Sequence, residues 1–373
     1  MSFEVLEQFF FMRRVKNWFV RFERAVSFLS LVGGFVFDIF ALKRIDQFLD
    51  NVWIGLHLLV AAVGIILLNL FEKKKDTSQK SVKTKSIIHF WLIILIQFAF
   101  GGLLSTFLVF YFRSATLATS WPFFILLGAA FVGNEAFKHH YSRLSYQISV
   151  FFLSLYSFAI YIVPVVLHRV GDDVFLLSGA VSISLLALFL AVLWILTREQ
   201  FSNNHTLVWV IMGIVVVING MYFTNIIPPI PLSLKDGGVY HSIVKNLDNT
   251  YSVEFEKSNW FDYFKNSETI HMVLGNPIYA YSAVFSPTNL NTRIYHVWQH
   301  YNEIQKEWQT IDRIKLPIVG GRDDGFRTYS SLSNILPGKY RVEVQTESGQ
   351  VVGRIHFIMS LVLIDPQLIS GIR

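Results

Sequence analysis

The polar side chains that could do chemistry are few, and most stand in apolar surroundings. Asp38 sits near the end of an apolar run, with Lys43 and Arg44 one to two helical turns on. Glu135 sits in another, with Lys138 and His139 at i+3 and i+4, where side chains of a helix meet. Asn219 stands beside Gly220 inside a third, placed for a hydrogen bond between helices at close backbone approach. Ionisable groups inside a membrane are candidates for proton, ion or substrate sites. The same residues also read as interfacial anchors paired with their neighbours. Asp38, Glu135 and Asn219 therefore form the candidate intramembrane site.

A second group lies in the last third. GGRDDGFRTYS surrounds Arg322, Asp323, Asp324 and Arg327 with glycines, and adds Phe326 and Tyr329. Planar guanidinium donors beside aromatic faces suit a carboxylate, a phosphate or a sugar. With Trp298, the residues Arg322, Asp324, Phe326 and Arg327 make a candidate recognition loop. The competing structural reading is a long hairpin connection shaped by Arg–Asp pairs. His296, Trp298 and His300 alternate onto one face of a strand, but His296 and His300 are four residues apart, too far to share an ion on a straight strand. His139 and His140 diverge by about 100° on a helix. There is no HExxH, GxSxG or P-loop pattern and no paired-carboxylate arrangement. No catalytic residue, metal ligand or cofactor is assigned.

These residues must be positioned by two kinds of element. The chain has 373 residues, 53% hydrophobic and 16% charged, too little polar surface to clothe one water-soluble domain. Seven apolar segments account for it: 25–42, 51–71, 87–112, 121–137, 146–167, 174–196 and 206–227. Each has about the length a helix needs to cross the hydrocarbon layer. With the N-terminus inside, fourteen Lys/Arg fall in inner segments and four (Lys43, Arg44, Arg113, Arg169) in outer ones, which predicts a cytoplasmic N-terminus and an outer C-terminal third. Residues 1–24 read as an amphipathic helix on the inner leaflet, and 72–85 as a solvated loop.

The net charge of +6 resides entirely in residues 1–234, with 18 basic and 12 acidic residues, whereas 235–373 has 14 of each. A neutral outer region argues against nucleic acid as a partner. Cysteine is absent, which removes disulfides and thiol chemistry. NIIPPIPLSLKDGGVYH (225–241) separates the two regions: its prolines end the last helix, 228–238 read as a stiff strut, and Gly237-Gly238 as the turn into the first strand. Beyond it, eight or nine short alternating runs predict an antiparallel β-sandwich over 239–373. In KYRVEVQT, Tyr340, Val342 and Val344 take one face and Arg341, Glu343 and Gln345 the other. ESG then turns the chain into QVVGRIHFIM.

The segments NPIYAYSAVFSPTNLNTRIYHVWQHY, GGRDDGFRTYSSL and LPGKYRVEVQTESGQVVGRIHF resemble a bacterial family, domain of unknown function 2914, over about residues 235–360. The phrases FVFDIFALKRIDQFLDN and VGNEAFKHHYSRL also resemble members that carry this domain after several membrane spans. The resemblance implies a domain type and a bacterial origin, and brings no activity, ligand or catalytic residue; with the topology predicted from the Lys/Arg distribution, the expectation is an inner-membrane protein with a periplasmic C-terminal domain. The leading expectation is a non-catalytic binding module in the envelope, its partner another envelope protein, a glycan or a lipid, with an oligomer compatible. The alternative is a transporter or lipid-modifying enzyme built around Asp38, Glu135 and Asn219, with the sandwich as lid or regulator.

Overall fold

The computed structural model describes residues 33–40, 47–73, 79–114, 117–136, 143–197, 205–227, 229, 232–248, 250–257, 267–286, 293–317, 326–333, 335–364 and 366–373. Within these, the side chains of 72, 73, 79–86, 113, 114, 117–119, 134–136 and 317 are not described. The expected amphipathic helix at 1–24 lies outside the described residues. So do KSNWFDYF, apart from Lys257, and the 318–325 loop.

Seven helices are described: α1 (33–40), α2 (Phe48–Lys73), α3 (Gln79–Ser114), α4 (Leu117–Ala136), α5 (Leu144–Leu167), α6 (Asp172–Thr197) and α7 (His205–Phe223). Five of them, α2, α3, α5, α6 and α7, are long and apolar enough to cross a membrane. The apolar part of α4 is shorter, Ser120–Gly133, and Pro122 lies in its first turns. The basic stretch expected as a loop at 72–85 is mostly helix, because α2 runs to Lys73 and α3 starts at Gln79. Its Lys and Gln residues are good helix formers and no Gly or Pro interrupts them. The most enclosed of the five is α5, whose Phe152, Tyr156 and Tyr161 are buried, while α6 and α7 leave much apolar surface uncovered.

The chain divides into two units. One comprises residues 1–111, 122–162 and 177–220; the other comprises 112–121, 163–176 and 221–373, so the ends of α5, α6 and α7 belong with the β-rich region. There, Asp172 at the start of α6 accepts a hydrogen bond from the Tyr222 hydroxyl (3.0 Å), and Phe175 stacks on Tyr222. Asn225, in the left-handed conformation, closes α7, and its Oδ1 accepts from the Val351 amide (3.3 Å). Val170 and Leu234 pack on a buried cluster of Leu232, Val284, Ile294, Val344 and Val352.

Among the described residues, eleven strands form three sheets, β1-β5-β8, β4-β10-β9-β6-β7 and β11-β3-β2. They are β1 (Ser233–Tyr240), β2 (Ser242–Lys245), β3 (Tyr251–Glu256), β4 (Glu268–Met272), β5 (Ile278–Phe285), β6 (Arg293–Asn302), β7 (Glu307–Pro317), β8 (Phe326–Leu332), β9 (Gly338–Thr346), β10 (Val351–Leu361) and β11 (Leu368–Ile372). Successive side chains on a strand point to opposite faces. Thus Val239, Ile278 and Ala280 meet Trp298, Val342, Phe357 and Met359 of the five-stranded sheet, whereas Tyr240, Tyr281 and Ala283 meet Ile243, Tyr251 and Val253 of the third. β5 is consequently buried on both faces.

Two expectations are corrected. The β region is not purely antiparallel, since β4 pairs with β10 in parallel, and a third sheet backs the middle one. Gly237 and Gly238 are no turn: they lie within β1, opposite Ser282 and Tyr281. They are glycines because a Cβ on Gly237 would stand 3.0 Å from Ile355, and one on Gly238 2.8 Å from the Tyr240 hydroxyl.

Candidate functional site

The intramembrane candidates fall into separate settings. Asp38 is buried in α1, with Ser105 of α3 and His57 of α2 as its polar neighbours. His57 Nδ1 lies 2.9 Å from the Trp53 carbonyl oxygen, and a carbonyl only accepts, so that nitrogen carries the proton. Its ring fits because Gly102 has no side chain; a Cβ there would be 2.9 Å from Nε2. Sequence reasoning missed His57, and its spacing to Asp38 holds no signal, since different helices carry them. Asn219 serves another junction. Its amide donates to the Tyr156 hydroxyl (3.0 Å) and to the Val215 carbonyl (2.8 Å), while Gly179 of α6 makes room for Tyr156. The described contacts give Asp38 and Asn219 no partner in common. Glu135 lies in α4, its side chain outside the described set.

In the β-rich region, Arg322 and Asp324 lie outside the described residues. Phe326 packs against the Leu232 cluster, and the Arg327 carbonyl accepts from the Tyr251 hydroxyl (3.2 Å). Trp298 is fully buried and belongs to the core, so its expected part in a recognition surface is corrected. It alternates with His296 on the inner face of β6. His296 Nε2 is 2.7 Å from Ser282 Oγ and Nδ1 is 2.8 Å from Ser330 Oγ, which also accepts from the Trp298 indole (3.0 Å). Burial pushes the His296 imidazole down to about 3. Held neutral and closed from water, this network joins two sheets rather than serving as a reaction centre. Among the described residues, no three His, Asp or Glu side chains stand ready to hold a metal ion.

The richest accessible chemistry lies on the outer face of the five-stranded sheet. Strand register sets Arg313, Val297, Glu343 and Arg354 in one row across β7, β6, β9 and β10, with Gln299, Arg341 and His356 in the next. Glu343 is buried, with Arg354 Nε at 2.6 Å, Arg341 Nη2 at 3.2 Å and the Gln345 amide at 2.7 Å. Desolvation alone would raise its carboxyl; the Arg354 hydrogen bond, the two guanidinium charges and Gln345 outweigh it and hold the group below the ordinary glutamate range. Arg341 lies 4.4 Å over the Trp308 ring and Arg313 4.3 Å over Tyr295, both within cation–π range. Burial, and then the Arg341 and Arg354 charges, lower His356 below the ordinary histidine value.

One buried carboxylate thus organises two guanidinium groups, and two aromatic rings hold two of the face's three arginines flat. An arginine has five donors; Glu343 and Gln299 take some of those of Arg341 and Arg354, and Arg313 gives one to the Glu347 carbonyl (3.4 Å). Arg341, Glu343 and Gln345 were legible as one face of β9. The partners from β6, β7 and β10 were not, because register brings them alongside.

Residues 291–359 match the family described as Protein of unknown function (DUF2914). The C-terminal region carries a DUF2914 domain. The match is narrower than the 235–360 the resemblance suggested; it contains β6 to β9 and β10 as far as Met359, and so includes Arg313, Arg341, Glu343 and Arg354 of the cationic outer face. No curated protein matches the chain. Among solved structures, the Pseudomonas fluorescens alkylpurine DNA glycosylase AlkC bound to DNA containing an abasic site analog aligns at 8% identity. That alignment covers 85% of this chain and 99% of the other, and its TM-score of 0.21 is too low to bear on fold or function.

Proposed function

We propose that the chain is a bacterial inner-membrane protein that presents its DUF2914 domain in the periplasm as a non-catalytic binding module for an anionic envelope ligand. Five helices of spanning length support membrane insertion. The fourteen-to-four distribution of Lys and Arg supports a cytoplasmic N-terminus, with α1 and α4 completing seven spans and the sheets forming a periplasmic β-sandwich. The observation that carries the reading is the Arg313–Arg341–Arg354 surface. It is held flat by Trp308, Tyr295 and the buried Glu343, and its chemistry suits the carboxylate or phosphate of a glycan, a lipid headgroup or an acidic partner.

The test is binding of galacturonate oligomers, polyglutamate and phosphatidylglycerol vesicles to the full chain in nanodiscs. Neutral dextran serves as the control. At least one anionic probe binds, its affinity falls as salt rises, and Arg313→Gln with Trp308→Ala weakens it by about tenfold, the scale of one charge-assisted contact. Binding that neither salt nor these substitutions alters sinks the proposal, as does no binding to any probe.

A second reading draws on the buried Asp38–His57–Ser105 neighbourhood: a polar path among the helices that moves a proton, an ion or a lipid substrate. Proteoliposomes would then show proton or ion flux, or lipid turnover, that Asp38→Asn abolishes. Passive vesicles with intact lipid remove this reading.

A further inference from the structure

The five-stranded sheet has two ends. One holds the β9–β10 hairpin and is joined to α7 through Asn225. At the opposite end, four connections come together. Asn302 pairs with Glu307 across the β6–β7 turn, and Glu303 of that turn bridges to Lys339 (2.9 Å), which brings the start of β9 alongside. Gly338 lies opposite Met359, so Leu336 stands near the end of β10. Leu361 pairs with Met272, and the Val362 amide donates to the Met272 carbonyl (3.0 Å), which sets residues 363–364 beside the turn after β4.

Each connection presents a bare aliphatic side chain. Leu363 is 98% exposed, Ile304 94% and Ile364 83%, while Leu274 and Leu336 are about two-thirds exposed. Turns in water favour Gly, Pro, Asn, Asp and Ser, so leucine and isoleucine at these tips answer no local need. The positions are also held in place. Asn302 Oδ1 accepts from the Ile304 and Gln305 amides (2.9 and 3.1 Å), and Lys306 takes the left-handed conformation. The Asn276 amide donates to the Val273 carbonyl across Leu274-Gly275, with Gly275 at positive φ. The Tyr340 hydroxyl holds the Leu336 carbonyl (2.8 Å). From β6 to β4 is three strand spacings, a row about 14 Å long.

We infer that this aliphatic row inserts into a lipid surface. Five side chains fall far short of the roughly 20–30 residues a side that a stable protein interface uses, which argues against a second copy as the occupant. Lipid needs no such area or fit. The five hold roughly twenty aliphatic carbons, comparable to a myristoyl chain, whose membrane affinity is about 10⁴ M⁻¹. Partial insertion of the tips gives weak, reversible attachment of that order or below. Lys306 and Lys339 are balanced by Glu303 and Glu307, so the attachment is apolar and needs no anionic lipid. The row lies at the opposite end of the sheet from the Asn225–Val351 contact, and the surface offered to it in the test is a vesicle supplied separately from the nanodisc. The inference is independent of the cationic face.

The experiment is co-sedimentation of the full chain, held in nanodiscs, with sucrose-loaded phosphatidylcholine vesicles. Half of the wild type binds at about 0.1–1 mM lipid, unchanged between about 0.05 and 0.5 M salt, across which exposed charges become screened. A triple variant, I304S/L363S/I364S, lowers the partition at least about tenfold by removing buried aliphatic carbons. The chain lacks cysteine, so Ile304→Cys carries a single environment-sensitive dye, whose emission shifts to the blue on binding. No sedimentation at about 5 mM lipid, well above the half-binding range, overturns the inference. Binding equal in the triple variant, or an unshifted dye, does so too. Association only with vesicles that themselves carry the protein would mean docking between copies and would equally refute it. Loss of binding in salt would assign it to the cationic face.

Discussion

Replacing His296 tests the principal buried junction of the β-rich region. The imidazole is closed off between Ser282 and Ser330, and its folded-state value is pushed down to about 3 from an unfolded 6.5. Between those values the unfolded chain binds a proton that the folded chain refuses. Stability from this group is therefore fully present above pH of about 6.5 and is lost on acidification at about 1.4 kcal/mol per pH unit. From neutrality to pH 5 the loss is about 2 kcal/mol, a large part of a marginal stability. His296→Gln keeps a donor and an acceptor for the two serines but does not titrate. The assay is urea unfolding of the full chain in detergent at pH 7 and pH 5, read by pulsed hydrogen exchange in peptides covering 293–302. The wild type loses about 2 kcal/mol more than the variant between the two pH values. Equal losses would refute the argument, since they would mean that His296 protonates in place.

Three other outcomes follow from the packing. Glu343→Gln strips two half-buried guanidinium groups of their carboxylate and should cost about 2–4 kcal/mol in urea unfolding. In the wild type that carboxylate's contribution is present above the ordinary glutamate value of 4.5 and fades only as pH falls through its depressed folded value. Gly353→Ala drives a Cβ into the Leu234 side chain and should lower stability by about 1–3 kcal/mol in the same assay, with β10 exchanging faster. Asn219→Leu removes the α7–α5 hydrogen bond to Tyr156 and should cost about 0.6–1.7 kcal/mol in thermal unfolding in detergent.

Local pattern carried a good deal. Apolar runs of spanning length located the five long helices, and the 3.6-residue geometry needs nothing beyond neighbours in the chain. Alternation in KYRVEVQT assigned Val342 and Val344 to the core and Arg341 and Glu343 to the outside, and ESG turned the chain between β9 and β10, with Gly349 at positive φ. Elsewhere the local cue misled. KDGG has the composition of a turn, yet both glycines lie in a strand where a Cβ would crowd the Ile355 and Tyr240 side chains. Trp298 has the character of a binding aromatic, yet it fills the space between two sheets and gives its indole proton to Ser330.

By itself, then, the sequence determined what each segment could be: spanning helix or strand, and inward or outward face. Those properties depend on residues a few positions apart. The tertiary structure alone decided which segments become neighbours. It set β4 parallel to β10, gathered Arg313, Arg341 and Arg354 from three strands around one carboxylate, and placed His57 beside Asp38. It also brought the Ile304, Leu336, Leu363 and Leu274 tips to one end. Side-chain periodicity repeats along every strand and cannot say which strand lies alongside. That choice is made by complementary packing and hydrogen bonding between distant segments, and both candidate surfaces exist only once it has been made.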